Sequence, residues 1–345
     1  MAAQPSPLVA VCVPTIDSSA FLETSLTRLF EEIEGCQQRY TLELLVCVSG
    51  SRGAASTIAA LERLQSRVDL KILREPRPGK NNAMNTTLRH LRARSLPPAF
   101  AFFFDDDVHL SPGTLRRNLD ALVAHEATHG EGPVLVGAAM RALPLSWREA
   151  WRKSEGHLLR AFWWWQLYQV FAFPYQDGSP VPRFCEGMAL GARLEHFPEL
   201  PDSETGIGDD TFLSNTFALL GRERFLGRGV HCLLKPAGSV GRVALPLGLK
   251  AWREQQLRVH IGIERSWRHF GAERDFLARY FSWPFAFTPA SRVRYQPRGP
   301  LGAVRHWLYM RLHQQNYEQA LVLMAQGYTP SWCVGEAEEA HVPAR

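Results

Sequence analysis

The chain has no window approaching ~20 consecutive apolar residues, which excludes a predicted transmembrane helix. Its most apolar stretch, Ala161 to Tyr175, is too short and carries Gln166 and Gln169. The opening residues MAAQPSPLVAVCVP lack a basic n-region and do not read as a secretory signal. The six cysteines, at positions 12, 36, 47, 185, 232 and 333, include no CxxC pair. In a chain of 345 residues that scatter argues for reduced thiols and a cytoplasmic setting, against a disulfide scaffold. There is no internal repeat and no low-complexity tract.

What is present is a globular composition. With 46% hydrophobic residues, 21% charged residues and a net charge of +5, the chain is not largely disordered. Its length suits one large α/β domain with an extension, or two domains. The positive charge is uneven: residues 251–320 hold eleven arginines against five acids, leaving the remainder close to neutral. Such a segment is either a solvated helix face or a surface for phosphates, nucleic acid or an anionic membrane. No recognised nucleic-acid-binding motif accompanies the charge, so a nucleic-acid partner is not expected.

Short apolar runs alternate with helical patterns over the first 140 residues. Strands are expected at 8–13, 42–48, 68–73, 99–104 and 134–140, with helices at 21–34, 55–66, 80–94 and 113–125 between them. Nearly continuous apolar strands separated by helices indicate a doubly wound α/β fold, a mostly parallel sheet flanked by helices with ligands at the carboxyl ends of its strands. Helices are expected again at 247–275 and 301–326. The expected division is a catalytic domain over 1–245 (a nucleotide-binding half at 8–140 and an acceptor half at 141–245), a helical, Arg-rich C-terminal extension at 246–330, and a polar tail at 331–345.

The strongest chemical signal is FFFDDDVHLSPGTL, residues 102–115. Asp105, Asp106 and Asp107 end a strand of almost pure Phe, where adjacent carboxylates repel unless a cation or hydrogen-bond donors offset them. A hard divalent ion, Mn²⁺ or Mg²⁺, that also touches a substrate diphosphate is the natural partner. Ser111-Pro112 is expected to start the next helix as cap and first-turn proline. A haloacid-dehalogenase-like phosphatase also places DxD after an apolar strand, but on its first strand and without a His where His109 stands.

In PRPGKNNAMN, Pro78-Gly79 makes a turn and Lys80 begins a helix, a phosphate-facing arrangement. Asn81 and Asn85 share a helix face, positioned either to reach a ligand or to bond nearby backbone. Asp209 and Asp210 precede an apolar helical run, as a helix cap or as a pair that includes a general base. Gln255 and Arg258 stand i,i+3 on a predicted helix and project together. His231 and His260 are further candidate metal ligands. The Trp-rich segment 147–168 is expected mainly as core packing, with an acceptor groove or, together with the Arg-rich region, a membrane-facing surface as alternatives.

Taken in order, these motifs resemble glycosyltransferase family 2, nucleotide-sugar transferases of GT-A fold. VAVCVPTIDSS (9–19) is similar to the first strand and its nucleotide-facing turn, and LLVCVSGSRG (44–53) to the second strand with its DDGS-like turn. EPRPGKNNAMNTTL (75–88) resembles the PGK helix entry, FFFDDDVHL the DxD motif, and CEGMALGARLEHF (185–197) the acceptor-side strand. GIGDDTFLS (206–214) resembles the segment carrying the catalytic base, and REQQLRVHIG (253–262) the QxxRW motif. The resemblance implies donor binding by Pro14, Thr15, Asp17, Ser49, Lys80, Asn81, Asp105 and Asp106. It implies metal binding by Asp107 and Asp105, and acceptor or diphosphate contacts by Gly187, Gln255 and Arg258. Asp210, with Asp209 beside it, would be the catalytic base of an inverting transfer from a nucleotide sugar to a glycan, lipid-linked or small-molecule acceptor.

Val48 stands where the family often has a uracil-binding Asp, which leaves the nucleotide open, and Val259 replaces the family's Trp, which argues against processive polymer export. The expected setting is cytoplasmic, free or peripheral at the inner face of the cell membrane. The rival reading is a noncatalytic nucleotide-sugar or glycan-binding module that keeps the fold.

Overall fold

The computed structural model describes residues 6–16, 22–50, 54–66, 68–143, 145–162, 165, 185, 187–243, 249–281 and 299–328. Asp17 lies outside them. The first half follows the expected alternation: β1 (Leu8–Thr15), α1 (Leu22–Glu34), β2 (Thr41–Ser49), α2 (Ala54–Gln65), β3 (Leu70–Glu75), α3 (Lys80–Arg92), β4 (Phe100–Phe104), β5 (His109–Leu110) and α4 (Thr114–His129). Then come β6 (Leu135–Gly137), β7 (Ala139–Ala142), α5 (Trp147–Lys153), β8 (Ala189–Arg193), α6 (Asp209–Leu220) and α7 (Arg222–Arg228). The last described elements are β9 (Leu233–Leu234), β10 (Val240–Val243), α8 (Leu249–His269), α9 (Arg274–Tyr280) and α10 (Gly299–Ala325).

A seven-stranded sheet in the order β3-β2-β1-β4-β8-β6-β9 forms the centre, and β5-β10-β7 form a second, small sheet. Strands β3, β2, β1 and β4 are mutually parallel, while β8 runs antiparallel to both β4 and β6. Alternation along the strands sorts side chains into two cores. Val9, Val11 and Val13 pack with α1 and α4, whereas Ala10 and Cys12 face the layer holding Met84, Leu88, Phe212 and Phe217. Both faces are thus buried, which is why these strands read as continuous apolar runs. Gly191 is required where β8 passes β4, since a Cβ there would lie 2.1 Å from the Phe102 ring. The five cysteines among the described residues are buried and free.

Three local expectations are corrected. The N-terminus of α4 is capped not by Ser111 but by Glu32 of α1, whose carboxylate accepts from the Gly113 and Leu115 N–H groups at 2.5 and 2.9 Å. The helix expected over 247–275 breaks at Phe270 into α8 and α9, with a short 3-10 turn between them. Trp147 and Trp151 are 39% and 41% exposed and do not belong to the core. No helix among the described residues is long and apolar enough to cross a membrane.

Candidate active site

The parallel strands deliver their carboxyl ends to one edge, and the acidic triplet leaves the sheet there, directly after β4. Asp105 is anchored by its backbone N–H to the Met188 carbonyl at 3.2 Å, which joins the triplet to the chain entering β8. On the β1 side, the Thr15 hydroxyl donates to Asp106 Oδ2 at 2.5 Å. Asp107 is exposed.

Lys80 is the centre of the arrangement. Gly79, at φ 118°, supplies the left-handed turn that opens α3, and a Cβ there would fall 2.2 Å from the Ser203 side chain. From this helix start Lys80 Nζ lies 2.5 Å from Asp105 Oδ1 and 2.8 Å from Asp209 Oδ2, and donates to the Gly187 carbonyl at 3.1 Å. Burial works against the ammonium, but Asp105 and Asp209 outweigh it and raise the Lys80 pKa, so Lys80 is charged. Gly187 permits the convergence: a Cβ at that position would sit 2.9 Å from both Asp209 Oδ2 and Lys80 Nζ.

The polar face of α3 explains how Asp209 arrives. Asn81 donates to the Pro201 and Ile207 carbonyls at 2.9 and 3.1 Å. Asn85 both donates to the Leu200 carbonyl and accepts from its N–H, each at 2.8 Å. These buried amides staple the segment 200–207 to α3, and α6 begins two residues later with Asp209 and Asp210. Asn81 was expected to touch donor; its amide is instead committed to backbone carbonyls. Ser49, also expected at the donor, is fully buried, with its hydroxyl donating to the Thr15 carbonyl at 3.3 Å. Pro14 is buried in β1.

Asp210 Oδ1 accepts from the Thr211 N–H and hydroxyl at 2.6 and 3.2 Å. Burial, then the neighbouring Asp209, push the Asp210 carboxyl up to about 6, against the pull of Lys80 and Thr211. Asp106 is also raised to about 6, by burial and by Asp107. Burial raises Asp105 too, with Asp209 and Asp107 adding to it and Lys80 opposing. Thr211 escaped the sequence reading; its signal was only its adjacency to Asp210.

These residues fit a hard divalent cation. Carboxylates whose pKa values rise through burial and mutual repulsion are short of positive charge. Among the described residues no three His, Cys, Asp or Glu side chains gather as a complete metal site. The chain thus offers a partial ligand set of oxygens, which suits an ion completing its shell with phosphate and water. The His231 ring meets Phe225 and Tyr280 at tilted and edge-on angles, and His260 meets Tyr317 edge-on; among the described residues neither histidine belongs to a three-ligand group.

Gln255 and Arg258 lie half-buried on α8, roughly 12–17 Å along the helix axis from Ser266. Ser266 ties α8 to α6 through Asn215 at 3.0 Å. Several arginines of the basic region have structural partners: Arg265 donates to the Thr205 and Tyr328 carbonyls, and Arg274 lies over the Trp267 ring.

Carboxylates and a lysine at the carboxyl edge of a mostly parallel sheet, with an antiparallel strand inserted beside them, define a GT-A glycosyltransferase. The family model described as Glycosyl transferase family 2 matches residues 10–191, more than half of the chain, and the chain belongs to that family. Among solved structures it is similar to a mannosyltransferase from Pyrobaculum calidifontis in complex with GDP-Man and Mn²⁺. That match has 18% identity and a TM-score of 0.51, over 93% of this chain and 76% of the other. Glucosyl-3-phosphoglycerate synthase from Mycobacterium tuberculosis, in complex with phosphoglyceric acid, matches with 18% identity and a TM-score of 0.43, over 77% of this chain and 80% of the other. No curated protein sequence matches.

Proposed function

We propose that the chain transfers a sugar, with inversion, from a nucleoside-diphosphate sugar to an acceptor hydroxyl, using Asp210 as general base. The observation that carries this reading is the double pairing of Lys80. One ammonium grips the DxD carboxylate Asp105 and the base-bearing segment at Asp209, so donor and acceptor machinery meet at one point. One fold relative, the mannosyltransferase, is named as a complex with GDP-Man and Mn²⁺, which supports the donor class and the metal. Residues 8–140 would hold the donor and 141–245 would face the acceptor, with Gln255 and Arg258 of the C-terminal extension contacting the acceptor or the diphosphate.

Asp210 has the properties a base needs. Its Oδ1 is held by Thr211, leaving Oδ2 to take the acceptor proton, and a pKa near 6 keeps it basic yet ionised at neutral pH. As the acceptor oxygen bonds to the anomeric carbon, its proton passes to Asp210 and the bond to the diphosphate breaks on the opposite side. A single displacement of this kind inverts the centre and needs no carboxylate nucleophile. Lys80 contributes positive charge to the departing diphosphate. A divalent ion held by Asp105 and Asp107 supplies further charge stabilisation of that leaving group when bound. Thr15 orients Asp106, which with Asp105 faces the nucleoside side.

Replacing Asp210 with Asn tests the reading. Release of nucleoside diphosphate in the presence of acceptor extract should fall by roughly 10²–10⁴-fold, while thermal stabilisation by the donor persists. Undiminished turnover would remove Asp210 from the base role, and binding without turnover in the unaltered protein would favour the noncatalytic module.

A further inference from the structure

The helix α5 and residues 157–162 present side chains that the transfer chemistry does not use. Trp147, Trp151, Leu158, Leu159 and Phe162 stand close together in the chain and are exposed, Leu158 at 61% and Leu159 at 82%, with the partly buried Trp165 after them. The rings form a connected group: Trp147 lies 6.2 Å from Trp151 and 6.0 Å from Trp165, which lies 6.5 Å from Phe162. Large aromatic and aliphatic groups left in water together mark an interaction surface and not ordinary surface scatter.

The charge on this face selects the partner. Arg148, Arg152 and Arg160 are exposed, and none has an ion-pair partner among the described residues. The nearby Glu149 is engaged in capping α5: its Oε2 accepts from the Ser146 N–H at 2.8 Å and from the Ser146 hydroxyl at 2.6 Å. Arginines interleaved with Trp, Leu and Phe match a boundary that is anionic at its surface and apolar beneath.

The location agrees. Strand β6 is antiparallel to β8, and β8 to β4, so β6 leaves the sheet at the edge that carries Asp105. The chain continues into β7 of the small sheet, whose β5 begins two residues after Asp107, and α5 follows within five residues.

We propose that the face formed by α5 and residues 157–162 docks on an anionic lipid bilayer, holding the transfer site at the membrane surface. The proposal concerns attachment and stands apart from the identity of the base. Sedimentation of the full chain with vesicles of phosphatidylcholine alone, or of phosphatidylcholine and phosphatidylglycerol in equal parts, tests it. The chain should sediment with the anionic vesicles, less with the neutral ones, and less as salt is raised.

The paired change Leu158→Ser with Leu159→Ser, at positions too exposed to support the core, should weaken sedimentation by roughly tenfold or more. Trp147→Ala with Trp151→Ala should do the same, and Arg148→Ala with Arg152→Ala should cost roughly fivefold per arginine. Donor-dependent thermal stabilisation should be unchanged in all three. Failure of the unaltered chain to sediment, or equal sedimentation of the variants, would overturn the proposal. So would a dimer that the Leu158/Leu159 change dissociates without any vesicle binding, which would make the face a protein interface. Quenching of Trp fluorescence by soluble oligosaccharides without vesicle binding would make it an acceptor groove.

Discussion

The carboxyl edge of the sheet and the α5 face concentrate opposite chemistry a short distance apart along the chain. At the sheet edge, acids are drawn into partly buried positions, where Lys80 pairs with two of them, Asp105 and Asp209. On α5, apolar rings and arginines are left in water. The first arrangement costs folding free energy unless a cation or substrate offsets it, and the second leaves apolar area that an apolar, anionic partner would cover. Each region therefore carries a binding requirement of its own, and substitutions in one should leave the other intact.

The largest effect that would sharpen this contrast, after loss of the base, is expected from Lys80→Met. It leaves Asp105 and Asp209 facing each other without their common cation and removes a charge aimed at the diphosphate. The transfer kcat/KM should fall by roughly a hundredfold, with vesicle binding unaffected. A variant that lost both properties would show that the two regions are not separable.

Next in size is the acid limb of the pH profile. Because the Asp210 pKa is raised to about 6 and the base must be ionised, kcat/KM should decline as pH falls through about 6, by about tenfold per unit. The linkage has the opposite sign for stability. A carboxyl with a folded pKa above its unfolded one favours the folded state when protonated, so its contribution declines as pH rises from about 4 to about 6. A rate profile flat down to pH 5 would show that this group does not limit transfer.

The smallest expected effect comes from Asn85→Ala, which frees the Leu200 N–H and carbonyl from α3. It should destabilise by about 1–3 kcal/mol, read as a lower Tm, and weaken transfer through misplacement of Asp209 and Asp210 rather than through donor affinity.

Much of the donor half was legible in the sequence because its strands are buried on both faces and its helices are amphipathic. The expected strand at 99–104 appears at Phe100–Phe104, and the helix expected from Lys80 begins there. The acidic motifs were legible as well, since adjacent carboxylates at a strand end or helix start need an electrostatic reason. What sequence did not disclose are contacts made across the fold. The i,i+4 spacing placed Asn81 and Asn85 on one face, but their partners lie 115 to 126 residues away. Glu32 caps a helix 81 residues further on, where local pattern favoured Ser111. Tryptophan has a large apolar body, so Trp147 and Trp151 read as core, yet α5 carries them on an exposed face. Strands as short as β9 and β10 have too few residues to show a period.

Binding of a nucleotide sugar at the acidic edge through a divalent ion is the property on which the proposed transfer depends. It is tested most directly by thermal unfolding of the full chain with a panel of nucleoside-diphosphate sugars, with Mn²⁺ or with EDTA, in the unaltered protein and in Asp107→Asn. At least one nucleotide sugar should raise the Tm with Mn²⁺, and EDTA or Asp107→Asn should abolish the rise. Stabilisation that persists without metal and without the Asp107 carboxylate would contradict the account.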